Sequence, residues 1–258
     1  MIGKLAPGAG RTRLAAHGFA LFLLIAWFVY GQLVESYVMP GPMAVFSRLG
    51  QMLTSTSELR HILYSFAHIL AAVGISFVIG TVLAFAAHYL PVLQLAVHGR
   101  LSPFLNSFSG IGWTFLAIIW FGISDVTVVF VISMVLIPFA VINMREGLDN
   151  LDAERIEMAA SFTRSGWRRF RLVVLPSLVP FIFATIRISF GVAWKIALTA
   201  ELFGGNTGLG YLLNLARQDF DMPLIICVVL IIVAFVYSTD RFVFTPIHAR
   251  LARHHGVA

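Results

Sequence analysis

The chain has 258 residues, of which 59% are hydrophobic and only 12% are charged, and its mean hydropathy is +0.89. About a quarter of the residues of an ordinary soluble domain are charged, so this composition excludes a water-soluble globular protein. The one cysteine, Cys227, excludes a disulfide framework and a thiol-based metal site, and anionic lipid explains the formal charge of +6 without any nucleic acid.

Six apolar runs, separated by Pro, Gly and Ser residues, predict an all-α polytopic membrane protein with about six transmembrane helices. They cover residues 19–34, 62–87, 104–121, 126–141, 178–200 and 224–244. Loops this short leave no room for a separate soluble domain. We therefore expect residues 1–258 to form a single transmembrane domain.

The third run is the least regular, because Ser107, Ser109, Gly110 and Gly112 interrupt it. Irregular backbone within a membrane is tolerated only against protein or a water-filled cavity. Ser109 and Trp113 are therefore candidates to face a polar pathway. Close helix packing through small residues is the alternative explanation.

A charged island, residues 146–175, separates the fourth and fifth runs. Asp149, Asn150 and Asp152 are candidate N-cap residues and predict that a short helix begins there. On this helix a narrow face of small residues is flanked by two carboxylates, and the residues concerned are Ala159, Ala160, Thr163, Glu154 and Glu157. A second amphipathic piece should start after Gly166 and end at Pro176. The island is expected to contact another protein, and a merely solvated loop is the alternative.

The distribution of Lys and Arg predicts the orientation, since cytoplasmic loops retain positive charge. With six spans, one side holds only Arg48, Arg60 and Arg217. Apart from Arg187 and Lys195, which lie inside a run, every other basic residue falls on the opposite side. We expect that side, with both termini and the charged island, to be cytoplasmic.

Four residues in the fifth run or directly after it, Arg187, Gly191, Lys195 and Glu201, are predicted to lie near one helical face. A charge in lipid is costly, so that face should contact the bundle or a watery path. Lys195 is a candidate to attract an anionic solute. Arg187 is expected either to reach the membrane surface or to form a structural pair. Glu201 could line the path or pair with Lys195 or Arg187.

Two further patterns have simple explanations. The glycine-rich residues 204–210 lack the Lys-Ser or Lys-Thr of a phosphate loop, so we expect a tight turn and no ATPase site in this chain. His61 and His68 share a helical face but have no third ligand nearby in the sequence, so no metal site is expected.

The charged island resembles the EAA loop of binding-protein-dependent ABC importer permeases. The similarity rests on Glu-Met-Ala at residues 157–159 and on Val-Leu-Pro at residues 174–176. Further stretches are similar to type I permeases of the branch serving taurine, alkanesulfonates, nitrate and bicarbonate: MPGP (39–42), AIIWFGISD (117–125), IRISFGVAWKIALTAELF (186–203) and GLGYLL (208–213). The resemblance covers nearly the whole chain.

This resemblance implies a permease subunit of an ATP-driven importer for a small, anionic solute: a sulfonate, nitrate, bicarbonate or a related organic acid. It implies a bacterial inner-membrane location, a second copy of the chain, an external binding protein and cytoplasmic ATPase subunits. Those ATPases would bind ATP and Mg, and no cofactor is expected in this chain. The loop residues implied to couple to the ATPase are Glu154, Glu157, Met158, Ala159, Ala160, Thr163 and Gly166.

The chain departs from the family pattern at two loop positions. Met158 replaces an alanine, and Thr163 replaces a glycine, with the nearest glycine at Gly166. A residue with a Cβ atom tolerates a left-handed turn poorly, so the turn is expected to be shifted or differently built. A self-contained secondary transporter or channel is the alternative function, although it would be expected to show repeats and intramembrane acids beyond Glu201.

Overall fold

The computed structural model describes residues 9–35 and 38–247, and every regular element in that part of the chain is helical. The predicted all-α fold is therefore confirmed. The α-helices are α1 (Ala9–Leu33), α2 (Pro42–Thr54), α3 (Thr56–Tyr89), α4 (Pro91–Gln94), α5 (Ser102–Ser107), α6 (Gly110–Phe121), α7 (Asp125–Asp149), α8 (Ala153–Phe162), α9 (Gly166–Arg169), α10 (Leu175–Gly204), α11 (Leu209–Gln218) and α12 (Met222–Thr239).

Within the described residues, four helical stretches are long and apolar enough to cross a membrane: Thr56–Tyr89, Asp125–Asp149, Gly166–Gly204 and Met222–Ile247. A fifth crossing results if Pro91–Ser107 and Gly110–Phe121 form one broken span. The first predicted span lies in α1, whose apolar part, Leu21–Leu33, is shorter than the roughly 20 residues of a full crossing. The predicted cytoplasmic location of the termini concerns residues 1–8 and 248–258, which lie outside the described part.

The third predicted span is not a continuous helix. Helix α5 ends at Ser107, α6 begins at Gly110, and the two halves of this region meet at an angle of 88°. Phe108 and Ser109 between them have extended backbone, and the Ser109 hydroxyl accepts a hydrogen bond from Gly112 N at 3.1 Å. The polar residues that interrupt the apolar run therefore cap a new helix.

The prediction that the second amphipathic piece ends at Pro176 is wrong. Helix α9 begins at Gly166, as expected, but continues through a π-helical segment, Phe170–Val174, directly into α10. Proline lacks an N–H group and its ring collides with the carbonyl one turn earlier. In the wider π turn Leu175 N–H bonds to Phe170 O instead, which lets the helix pass the proline.

Two other π-helical segments also precede a proline. They are Leu95–Leu101, before Pro103, and Asp240–Phe244, before Pro246. The same explanation applies, because a local change to the wider hydrogen-bond pattern accommodates the missing donor.

Helix α7 lies at the centre of the bundle, in contact with both α3 and α10. Its contact with α3 is unusually close at Gly80. A Cβ atom added there would lie 3.1 Å from Val141 N and would overlap the Ala140 methyl group. Membrane helices associate through such small residues because lipid gives little hydrophobic drive to helix pairing.

A polar cluster joins α2, α3 and α12 at the end of the bundle that lies opposite the charged island. The Arg48 guanidinium donates to both carboxylate oxygens of Glu58, at 2.7 and 3.0 Å, and to Asp221 at 3.1 Å. The hydrogen bond to Glu58, assisted by the one to Asp221, raises the pKa of Arg48 above its ordinary value. This cluster fixes the amphipathic helix α2 against the ends of two crossing helices.

Candidate functional site

Helix α8 presents the candidate coupling residues on the surface of the charged island. The predicted helix start is confirmed, since the Asp152 carboxylate caps α8 by accepting from Glu154 N at 3.0 Å. Met158 is 59% exposed. Of the other candidates, Glu154, Glu157, Ala160 and Gly166 are exposed, and Ala159 and Thr163 are half-buried.

The turn after α8 is built without a left-handed residue. Thr163, at the position of the family's glycine, has extended backbone with φ −149° and ψ 131°. Its hydroxyl accepts from Ser165 N at 3.3 Å, and the Ser165 hydroxyl accepts from Arg168 N at 3.4 Å to cap α9. Threonine is therefore unstrained there, and Gly166 becomes the first residue of the next helix. The expectation of a differently built turn is confirmed.

Helix α8 folds back beside the base of α10. The cavity between them, of about 500 Å³, is lined by Asn150, Asp152, Met158, Leu172, Val173, Pro176 and Ser177. The bulky side chain at position 158 therefore borders this cavity while remaining mostly exposed. Helices α9 and α10 belong to one continuous helical stretch, so the island is joined without a break to a helix long and apolar enough to cross a membrane.

The predicted common face of the fifth run is only partly correct. Lys195 is exposed, and its ammonium group has no hydrogen-bond or ion-pair partner among the described residues, whereas Glu201 is 1% exposed. Six residues along a helix turn the side chain through about 240°, so the two cannot share a face. Arg187 forms the structural pair that was one of its two expected roles, bonding Asp240 at 2.9 and 3.2 Å.

The sequence had suggested that Glu201 pairs with Lys195 or Arg187. In the structure its side-chain partners are instead residues of α3. Its Oε2 accepts from the Ser65 hydroxyl at 2.7 Å and from Gly210 N at 2.9 Å. Its Oε1 lies 3.0 Å from His68 Nδ1. Burial of a carboxylate is costly unless it is paired and hydrogen-bonded, and these partners satisfy it. Glu201 therefore does not line an open path in this structure.

The same network reaches the start of α7. His68 Nε2 lies 3.4 Å from Asp125 Oδ1, which is within ion-pair distance but lacks good hydrogen-bond geometry. Asp125 Oδ1 also accepts from the Thr207 hydroxyl at 2.6 Å. The network thus links α3, α7 and α10 to the glycine-rich loop at residues 204–210.

The glycine-rich loop is a tight turn, as predicted, and its backbone amides are bound by side chains of α3 and α10. Gly208 N donates to His61 Nδ1 at 3.1 Å, Leu209 N to Ser65 Oγ at 2.7 Å, and Gly210 N to Glu201. These are amides at the start of α11, which have no partners within that helix. Gly208, with φ +101°, also lies against the Glu201 carboxylate, where a Cβ atom would collide.

The remaining pathway candidates lie at the start of α6. Ser109 is exposed, whereas Trp113 is 5% exposed and packs against Phe108. Gly110 approaches Ile196, since a Cβ atom added there would be 3.9 Å from its Cγ2. The break between α5 and α6 therefore lies close to the segment of α10 that carries Lys195.

Sequence reasoning missed the partners of Glu201. Ser65 and His68, at spacings of four and seven from His61, were visible as one polar face on an apolar helix. That spacing could have indicated a buried polar partner on another helix, but it could not have identified Glu201. Among the described residues, no group of three His, Cys, Asp or Glu side chains is arranged to hold a metal ion.

Comparisons with known proteins found a matching family and similar permeases. Residues 76–245 match the family described as binding-protein-dependent transport system inner membrane component. The chain is 27% identical over 231 residues to the putative aliphatic sulfonates transport permease protein SsuC of Bacillus subtilis (strain 168), covering 86% of this chain and 80% of SsuC. It is 24% identical over 261 residues to the taurine transport system permease protein TauC of Escherichia coli (strain K12), covering 97% and 92%.

A solved structure shares the fold. The chain resembles a chain of the MetNI methionine ABC transporter in inward-facing conformations, with a TM-score of 0.63 and 16% identity over 75% of this chain and 95% of that one.

Proposed function

Because the chain belongs to the family of binding-protein-dependent transport system inner membrane components, we propose that it forms half of an import pathway for a small anionic solute. As an ABC importer permease it is a transport subunit without its own ATPase site. The solute class is a sulfonate, nitrate, bicarbonate or a related organic acid. The similarity to permeases named for sulfonates and taurine supports this class.

The proposed assembly contains two copies of the chain in a bacterial inner membrane, with both termini and the charged island in the cytoplasm. An external binding protein delivers the solute to the opposite mouth. Two cytoplasmic ATPases bind ATP and Mg, approach each other, and move the island. The continuous helical stretch Gly166–Gly204 then changes access to the pathway. This is an alternating-access mechanism.

The exposed surface of α8 is the observation that most supports coupling to an ATPase. Its small side chains, Ala159 and Ala160, let another protein approach closely, and Glu154 and Glu157 offer carboxylates beside them. Capping by Asp152 fixes the start of the helix. A short, capped helix with a polar, small-residue surface suits docking into a cleft of a partner protein.

Co-purification with the ATPase subunit tests this proposal. We expect the double variant Glu157→Ala, Ala159→Arg to lose stable association, because the added side chain is bulky and the change of charge is unfavourable at a close contact. The control is Gly50→Arg on α2, where an added Cβ atom meets nothing within 4 Å. Equal ATPase recovery with wild type and the double variant would exclude α8 as the docking helix.

Lys195 is proposed to attract the solute. Its charge is exposed on a membrane-crossing helix and has no ionic partner among the described residues, while a charge at the centre of a lipid-facing helix costs roughly 2.5–3.5 kcal/mol. The cost is avoided if Lys195 faces a water-filled path between this chain and the second copy. Ser109, beside the helix break near this segment, is proposed to line the same path, and buried Trp113 to support it.

The variant Lys195→Gln is therefore expected to raise the KM for an anionic solute about ten-fold, since loss of one charge-assisted hydrogen bond costs about 1.5 kcal/mol or more. Uptake by the assembled transporter in proteoliposomes measures this. Arg217→Gln removes an exposed positive charge outside the crossing helices and is the control. An unchanged KM in Lys195→Gln would place the solute elsewhere, and Lys195→Arg should restore part of the affinity.

One observation favours the alternative function. The acid–histidine network around Glu201 resembles the intramembrane polar groups that secondary transporters use for ion coupling. In this structure, however, hydrogen bonds from α3 and from the α11 amides satisfy the carboxylate. Uptake by the chain alone, without ATPase and driven by an ion gradient, would establish the alternative and overturn the importer proposal.

A further inference from the structure

A second cavity lies at the same end of the bundle as the charged island, where α3 and α7 end and α9 begins. It has a volume of about 590 Å³, and the residues that shape its polar part are His88, Tyr89, Asp149 and Arg169. It differs from the cavity beside α8 in its lining residues. None of the proposed coupling contacts of α8 requires it.

Arg169 is the unusual group in this cavity. Its Nε atom is buried and has no hydrogen-bond partner. The nearby carboxylate does not compensate it, because Asp149 is bound by Arg145 at 3.3 Å and lies 3.8 Å from His88 Nδ1. A guanidinium group left without a partner in a cavity is suited to an oxygen-rich anion, which it binds through two parallel N–H donors.

The surroundings of the cavity are those of a membrane surface. Phe170 forms one wall and lies 5.7 Å, between ring centroids, from Trp167, which is 70% exposed. Tyr89, which also lines the cavity, is 61% exposed. Exposed Trp and Tyr are typical of the level where lipid headgroups lie. Two further exposed cations, Arg168 and Arg171, flank the cavity residues Arg169 and Phe170 in the sequence. They would attract the anionic headgroups of a membrane leaflet.

Two exposed apolar side chains follow the cavity residue Tyr89 closely in the sequence. They are Leu90, 53% exposed, and Val92, 87% exposed. A soluble anion would gain nothing from these side chains, whereas a lipid would place its acyl chain against them. The charge inside the cavity and these exposed apolar side chains together match an amphiphile with an anionic headgroup.

We propose that this cavity binds the phosphate-bearing headgroup of an anionic phospholipid, with Arg169 as its principal ligand and Tyr89 and Phe170 as its walls. Because the cavity is formed jointly by the ends of α3 and α7 and by the start of α9, a bound headgroup joins the charged island to the membrane bundle. A dependence of transport on this lipid rests on the proposed importer function, but binding itself does not.

The test uses the assembled transporter, with its ATPase subunits, after delipidation in detergent. Native mass spectrometry counts the molecules of phosphatidylglycerol retained per permease copy during titration, with phosphatidylcholine, which is zwitterionic and has no net charge, as the comparison. We expect Arg169→Gln to weaken phosphatidylglycerol binding at least about ten-fold, and Arg168→Gln, which removes the same charge from an exposed neighbouring position, to change it less than about two-fold. Equal weakening in both variants would show a diffuse surface charge effect and overturn the proposal.

A second arm distinguishes a lipid from a soluble anion. Millimolar inorganic phosphate is added to the same titration. If it fails to displace phosphatidylglycerol, the lipid assignment is supported. If it displaces the lipid from wild type, but not the residual lipid from Arg169→Gln, the site takes the phosphate group alone and the lipid assignment is wrong. Because this readout is binding and not uptake, its failure is separate from any failure of the importer proposal.

Discussion

Replacing Glu201 by alanine is expected to lower the free energy of unfolding by about 3–5 kcal/mol, the usual cost of removing one partner of a buried pair. The loss leaves the buried Ser65 hydroxyl and Gly210 N without their acceptor and removes the contact with His68 Nδ1. Thermal unfolding of the detergent-purified chain measures the effect as a lower Tm.

A matched control is Glu154→Ala on α8, an exposed acid for which we expect a change within about 0.5 kcal/mol. Glu201→Gln should lie between the two, since an amide oxygen still accepts from the hydroxyl and the backbone N–H. If Glu201→Ala unfolds at the wild-type temperature, the buried network contributes nothing to stability, and the loop at residues 204–210 is held by other contacts.

Replacing Gly80 by leucine is expected to disrupt the contact between α3 and α7 at the centre of the bundle. Even a Cβ atom there would overlap the Ala140 methyl group and approach Val141 N to 3.1 Å, so the helices must separate. Overpacking of a closely packed site costs about 1–3 kcal/mol or more, and here the obstacle is partly backbone. We expect little folded protein, measured as monodisperse material after size-exclusion chromatography.

The same helix provides the control. Gly74→Leu gives an equal gain in helix propensity at a position where an added Cβ atom meets nothing within 4 Å. We expect Gly74→Leu to yield folded protein at the wild-type level. Similar yields for both variants would mean that α3 and α7 are not in close contact at Gly80.

The Glu201 network, the close contact at Gly80 and the cavity at Arg169 all involve residues of α3. This helix therefore connects parts of the chain that are distant in the sequence. At its start, His61, Ser65 and His68 bind Glu201 and the amides of α11. At its middle, Gly80 contacts α7, and at its end His88 and Tyr89 border the cavity beside α9. Helix α3 therefore contacts both the glycine-rich loop at residues 204–210 and the charged island.

Much of the architecture could be predicted from the sequence because the membrane constrains it strongly. With no water to satisfy backbone groups, long apolar runs must be helices, and charged runs must lie outside the lipid. A helix start among Asp149, Asn150 and Asp152 was equally predictable, since capping depends on neighbouring residues, and the structure shows that Asp152 is the cap. The family pattern around residues 157–176 identified the type of protein for the same reason, as its residues are close in the sequence.

Other features required the tertiary structure, because they depend on residues far apart in the chain. Only the packing of α10 on α3 buries Glu201 beside His68, 133 positions away, and exposes Lys195 on another face. Pro176 permits either a helix end or a π-helical passage, and the structure has the passage. The sequence by itself determined that the long apolar runs are helical and that a charged segment separates two of them, whereas only the tertiary structure decided which helices are long enough to cross a membrane and which charges find partners, since pairing requires contact in space.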